Sequence, residues 1–304
     1  MANEINNTKK QSLRHLFFIY LMMACVPVFL FVVLYSLKMS GLEIVYTKAF
    51  SFLPYFVQKK FLTYLLVGFT AQIIDGALGM AYGLSASSFL ISAGVPPAAA
   101  SASIHISEIF TTGISGFSHW WFGNIDKVMF KKLIVPGVIG SGLGAYFLSS
   151  FDGNVIKPYI SFYLLIMGVI IVIKAMKKIV LFQKHKHLRL IAFFGGFVDA
   201  SGGGGWGSVV ATTLIGKGNH PKLTIGSVNA VEFFITLCSS VVFVWMIGIH
   251  SWLIIAGLII GGTLAAPLGA FVCHRINVRF AMILVGLLII FLSVRTILLS
   301  TGAL

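Results

Sequence analysis

Four acids, Asp75, Glu108, Asp199 and Glu232, stand in stretches of the chain that are otherwise strongly apolar and contain no Lys or Arg to neutralise them. A bare carboxylate in such surroundings is costly, so each has to be protonated, densely hydrogen-bonded or paired with a cation. Asp75 and Asp199 open two glycine-rich runs, Asp75-Gly-Ala-Leu-Gly-Met-Ala-Tyr-Gly83 and Asp199-Ala-Ser-Gly-Gly-Gly-Gly-Trp-Gly207. A carboxylate there can accept the amides of a tight turn. Glu108 and Glu232 have His105 and Asn229 three residues before them, and Thr112 and Thr236 four residues after. On a helix that spacing gathers each set on one face, a surface suited to holding a proton or a polar substrate. Ser103, Ser107 and Ser227 fall near the same faces and offer hydroxyls, and His105 is a candidate proton carrier near neutral pH.

These residues come in pairs. A shift of 124 residues aligns Phe69–Ile125 with Phe193–Ile249 without a gap. It superposes Asp75 on Asp199, Gly79 on Gly203, Gly83 on Gly207, Gly94 on Gly218, Pro97 on Pro221, Ser103 on Ser227, Glu108 on Glu232, Thr112 on Thr236 and Trp121 on Trp245. Unrelated apolar helices would coincide at Leu and Ile, not at two acids, a proline and three glycines in one register. The chain is an internal duplication.

The elements that must position these groups follow from composition. Of 304 residues 58% are hydrophobic and only 10% charged, and the mean hydropathy is +0.98. A soluble domain carries roughly 25% charged residues, whereas about 20 consecutive apolar residues span a bilayer core. The expected fold is an all-α polytopic membrane protein. The net charge of +14 sits in connectors between apolar runs, the pattern of cytoplasmic loops, and no nucleic-acid partner is expected. Cys25, Cys238 and Cys273 lie in apolar runs without metal or redox spacing. Neither a metal nor a cofactor is expected, and the absence of a P-loop argues against direct ATP drive.

The expected organisation is a cytoplasmic tail, an anchor helix at Leu16–Leu37 and an interfacial segment over residues 1–60, a first repeat over 61–174, a basic linker over 175–189 and a second repeat over 190–304. The positive-inside rule is best met if the first long apolar stretch of each repeat, broken by glycines, enters and returns as a hairpin rather than crossing. The loop with Lys127, Lys131 and Lys132, the basic linker and His274–Arg279 then all lie inside. Each repeat has one hairpin and three spans, an odd number, so the repeats are inverted. Lys38, Lys48, Lys59 and Lys60 fit that topology less well.

Inverted repeats with glycine-broken helices are a pattern of secondary transporters, whose sites lie at mid-membrane between the repeats. A new half-helix is expected after each turn, near Ser85 and Ser208. Its free N–H groups and positive dipole end suit a small anion without any basic side chain. Gly79, Gly83, Gly202, Gly203, Gly204 and Gly205 are the expected turn, with Tyr82 and Trp206 walling the site. Ser85, Ser103, His105, Ser208, Ser227 and Asn229 are its expected polar lining, and Asp75, Glu108, Asp199 and Glu232 its proton-coupling groups. The match of 202–207 to G-x-G-x-x-G carries nothing without a strand before it.

The runs Gly68-Phe69-x6-Gly76-Ala77-x-Gly79 with Gly83, and Gly195-Gly196-x3-Ala200-Ser201-Gly202-Gly203-Gly204, resemble the sulfite exporter TauE/SafE family, the toluenesulfonate uptake permease group. The resemblance covers both repeats and leaves the N-terminal segment outside. The N-terminus is expected in the cytoplasm from the basic tail before the anchor helix, not from the resemblance. The resemblance implies a transporter of sulfite, sulfonates or related small organic anions in the bacterial inner membrane, with Gly79, Gly83 and Gly202–Gly205 lining the path. Its partners are then a small anion, protons and the lipid bilayer, and a homodimer is compatible with the sequence. Two other classes compete. A passive anion channel would share the same site. An intramembrane serine protease is suggested by Gly113-Ile-Ser115-Gly116, whose candidate His partners, His220, His250 and His274, lie near span ends, and whose Gly113 is replaced by Leu237 in the second repeat.

Overall fold

The computed structural model describes residues 59–78, 80–176, 187–249, 251–273 and 278–301. The expected anchor helix, Gly79, His250 and most of the basic linker lie outside the described residues. The chain divides into two compact units, Met1–Leu62 and Thr63–Leu304, and the second carries the architecture below.

Every regular element among the described residues is helical. A broken pair, α1 (Lys59–Leu78) and α2 (Tyr82–Ser92), is followed by three long helices, α3 (Pro97–Trp121), α4 (Lys127–Ser149) and α5 (Gly153–Met176). The order then recurs. α6 (Leu188–Gly202) breaks into a π-helical turn at Gly207–Ala211 that continues as α7 (Thr212–Gly216), and α8 (Pro221–Ile247), α9 (Trp252–Cys273) and α10 (Val278–Ser300) follow. At 11 residues, α2 rises about 16 Å, half of a bilayer core. By length and composition α4, α5, α8 and residues Arg279–Ser300 of α10 are each able to cross a membrane. α3 is as long, 25 residues, but spends its apolar character on the Ser, Thr, His and Glu of the site.

The breaks follow from local chemistry. Gly203, Gly204 and Gly205 take φ of +79°, +120° and +144°, conformations that side chains with a Cβ rarely adopt. In the first break Ala81 stands in register with Gly205 and is itself left-handed, at φ 84°. Pro97 and Pro221 occupy the first turns of α3 and α8, where a missing N–H costs nothing.

Glycines let the helices approach at backbone distance. A Cβ on Gly140 or Gly144 of α4 would run into the carbonyls of Phe193 and Phe197 on α6, and one on Gly196 into the carbonyl of Gly137. The same kind of seam joins α1 to α9, where a Cβ on Gly68 would lie 2.7 Å from the Leu258 Cα and one on Gly261 would meet the Leu65 carbonyl. Gly168 and Gly286 join α5 to α10, and Gly116 on Ala230 joins α3 to α8. Such small-residue seams are how helices associate where lipid removes the hydrophobic drive between them. The repeats are thereby interlocked: each broken helix leans on a long helix of the other repeat. Outer faces are apolar, with Phe117, Trp121, Phe162, Trp245 and Phe291 all exposed, as expected when the solvent is lipid.

Candidate functional site

The two helix breaks meet. A Cβ on Gly83 would stand 2.5 Å from the Gly204 Cα, 3.3 Å from the Gly203 oxygen and 3.4 Å from Glu108 Oε1. Backbone therefore touches backbone at the junction of the repeats, with a carboxylate against it. At each break the Asp does the same work. The Asp75 carboxylate accepts the N–H of Tyr82, and Asp199 Oδ1 accepts the N–H of Trp206 at 2.8 Å. Tyr82 and Trp206 are themselves in register, so the duplication extends to the hydrogen bond. Each Asp satisfies an amide at the start of the following half-helix, where such amides lack a partner within the helix.

The second break is held by more groups than the first. Gly204 N–H donates to the Asp199 carbonyl at 2.7 Å. The hydroxyls of Ser87 and Tyr163 donate to the carbonyls of Gly203 and Gly204, and Ser101 Oγ donates to the Ala200 carbonyl at 2.7 Å. His105 Nε2 lies 3.1 Å from Asp199 Oδ2, and its Nδ1 lies 2.8 Å from the Ser101 carbonyl. A carbonyl can only accept, so Nδ1 carries a hydrogen, and the Nε2–Oδ2 contact needs one more proton on either atom. His105 and Asp199 are together a neutral pair. His105, on a neighbouring helix, is thus the counter-group absent from the stretch of Asp199 itself.

Below the crossing lies a cavity of about 20 Å³, room for roughly one water molecule. Its walls are Asp75, Glu108 and Glu232, the backbone around Ala81, Tyr82, Gly83, Gly205 and Gly207, and Thr111 and Thr112. Glu108 is 4% exposed and its Oε2 has no hydrogen-bond partner. Thr112 Oγ1 donates to the Glu108 carbonyl at 2.5 Å, and the Tyr82 hydroxyl bonds Ser107 Oγ at 3.2 Å.

Of the expected site residues, Asp75, Tyr82, Gly83, Glu108, Gly205 and Glu232 come together at this cavity. Gly203 and Gly204 form the turn beside it, Gly202 ends α6, and His105 and Asp199 brace that turn. Others are placed elsewhere. Trp206 is completely buried, its Nε1 donating to the Val228 carbonyl at 3.1 Å; its backbone serves the site and its ring does not. Ser85 Oγ bonds carbonyls of its own first turn, Ala81 and Tyr82. Ser103 Oγ bonds Ala99 and faces a separate apolar cavity of about 230 Å³. Ser227 Oγ accepts the Asp126 N–H at 2.8 Å, Asn229 donates to Ser115 Oγ at 3.1 Å, and Ser208 Oγ is buried without a partner. Ser115, the candidate nucleophile, is thus bonded to an amide rather than a base. Ser87, Ser101, Thr111 and Tyr163 were not anticipated. The second repeat has Ala211, Ile225, Ile235 and Leu287 at their positions, so the duplication that marked the other residues could not mark these.

A family model described as sulfite exporter TauE/SafE matches residues 64–296. The probable membrane transporter protein YtnM of Bacillus subtilis (strain 168) is 39% identical over 249 residues, covering 79% of this chain and 83% of that protein. No solved structure matches significantly.

Proposed function

Since the chain belongs to the sulfite exporter TauE/SafE family, a family of multi-pass membrane transporters, we propose that it moves a small sulfur-containing anion, sulfite or a sulfonate, across the bacterial inner membrane by alternating access. The observation that carries this is the meeting of Gly83 with Gly204. Two half-helix N-termini converge on one small cavity, and their amides and dipole ends favour negative charge without a basic side chain. In this reading the two hairpins enter from opposite sides, with the N-terminus and the Lys127–Lys132 loop inside, as the positive-inside rule asks. The intramembrane acids supply the coupling: an anion next to ionised carboxylates is repelled, so anion binding and proton binding are linked. A carrier is favoured over a channel because the breaks close on each other and leave room for about one water.

The test is uptake of radiolabelled sulfite into proteoliposomes of the purified protein, with taurine and sulfoacetate as competitors. A pH gradient is expected to drive accumulation above equilibrium. Equilibration without accumulation would make the protein a channel, and indifference to the pH gradient would remove the proton link.

A further inference from the structure

Four acids surround the crossing of the two breaks, and they fall into two classes. Asp75 and Asp199 have fixed duties, each accepting the amide that opens the next half-helix, and Asp199 is neutralised by His105. Glu108 and Glu232 have no such duty. They come from register-equivalent positions on α3 and α8, helices packed on each other through Gly113 on Phe233 and Gly116 on Ala230. Both line the same cavity of about 20 Å³, and Glu108 Oε2 is buried in it without a partner. A buried carboxylate oxygen left without a protein donor is a costly arrangement, and a second carboxylate lining the same small cavity makes it worse. A proton between them removes one charge and supplies the missing donor.

We propose that Glu108 and Glu232 form a two-carboxyl unit that holds one proton between the repeats in the resting protein and takes up a second when a monovalent anion enters. This rests on the transport reading above and names its coupling group. The step is a proton addition only: the remaining carboxylate becomes a carboxylic acid as one negative charge arrives, so the charge of the cavity is unchanged and one proton travels with each monovalent anion. The other ionisable groups facing the unit are Asp75 from α1, Tyr82 from α2 and Asp199 from α6. His105, one turn before Glu108, is committed to Asp199. Two-carboxyl units sharing a proton because both members cannot ionise side by side are a known arrangement.

Gln is an isostere of the protonated acid, which makes the substitutions decisive. In detergent and without any anion, infrared spectra at neutral pH should show a deuterium-sensitive protonated-carboxyl band in the unsubstituted protein that the double Glu108→Gln, Glu232→Gln variant lacks, the double variant subtracting any band of Asp75 or Asp199. Both Glu108→Gln and Glu232→Gln should lose it, because the remaining carboxylate then faces a neutral partner. A band intact in either single variant, which would assign the proton to the other residue alone, overturns the proposal, as does its absence from the unsubstituted protein. In a second arm, binding of sulfite is followed with a pH indicator in weakly buffered solution at mildly acidic pH, where sulfite is almost entirely the monovalent hydrogensulfite and brings no proton change of its own. Each single variant should still take up one proton per sulfite, whereas the double variant should bind with none; loss of proton uptake in one single variant overturns the shared unit. Failure of sulfite to bind the unsubstituted protein would instead count against the proposed substrate, and the infrared arm still decides the proton unit.

Discussion

Asp75 and Asp199 are equivalent by register and unequal in surroundings. Each holds an amide, but only Asp199 also meets a histidine, because the residue in register with His105 is Asn229, and Asn229 is turned to Ser115. Asp199→Ala is therefore expected to lower stability in detergent more than Asp75→Ala, by about 1–3 kcal/mol for the buried His105 nitrogen left without a partner; thermal melting of the two variants side by side measures the difference. Ala81 gives the opposite sign. It occupies the left-handed region that its counterpart Gly205 occupies without a Cβ, so Ala81→Gly should raise the melting temperature, by up to about 1 kcal/mol of relieved strain. Gly83→Ala has no such latitude, since its Cβ would meet Gly204 backbone. Sulfite uptake is expected to be lost, with about 1–3 kcal/mol of overpacking read as a lower melting temperature. Asp, Glu and Gly at the site were legible in the sequence because an acid repeated in the same register of two apolar runs serves neither packing nor solubility there. Ser87, Ser101 and Tyr163 were not, since a lone hydroxyl in an apolar helix most often bonds its own preceding turn, as Ser88 and Ser161 do here.

Among the elements, the broken helices are the least regular and the most braced. The π-helical turn after the second break starts at Gly207, and Lys174 of α5 reaches the Ser208 carbonyl and the Thr212 hydroxyl beside it. From the other repeat, Arg295 of α10 reaches the Ser92 carbonyl at the end of α2 at 2.8 Å. A basic residue from each outer helix thus anchors the half-helix of the opposite repeat. The glycine seams set how close the long helices come. Gly140→Ala places a methyl group against the Phe193 carbonyl, and α4 and α6 must separate. The expected result is a lower melting temperature, again by about 1–3 kcal/mol, with broadening on size exclusion. The breaks themselves could be read from glycine and acid content. Their partners could not, because glycine spacing says that a helix face is flat and not which other helix lies on it.

At the scale of the whole molecule, each repeat completes the other, with α6 leaning on α4 and α1 on α9. The proposed topology makes a direct prediction. With Cys25, Cys238 and Cys273 replaced, Asn154→Cys in the α4–α5 region should react with a membrane-impermeant maleimide applied to intact cells. Lys132→Cys, on the other side, should react only after permeabilisation; the reverse pattern would invert the transporter. The sequence by itself determined the membrane-spanning α-helical class, the duplication and the positions of both breaks, because apolar content, a repeated register and glycine beside a buried acid act locally along the chain. The meeting of the two breaks, the neutral His105–Asp199 pair and the shared cavity of the two glutamates were decided only by tertiary structure. Each of these joins groups about a hundred residues apart, and no local preference encodes which backbone carbonyl or carboxylate a packed helix will bring to face them.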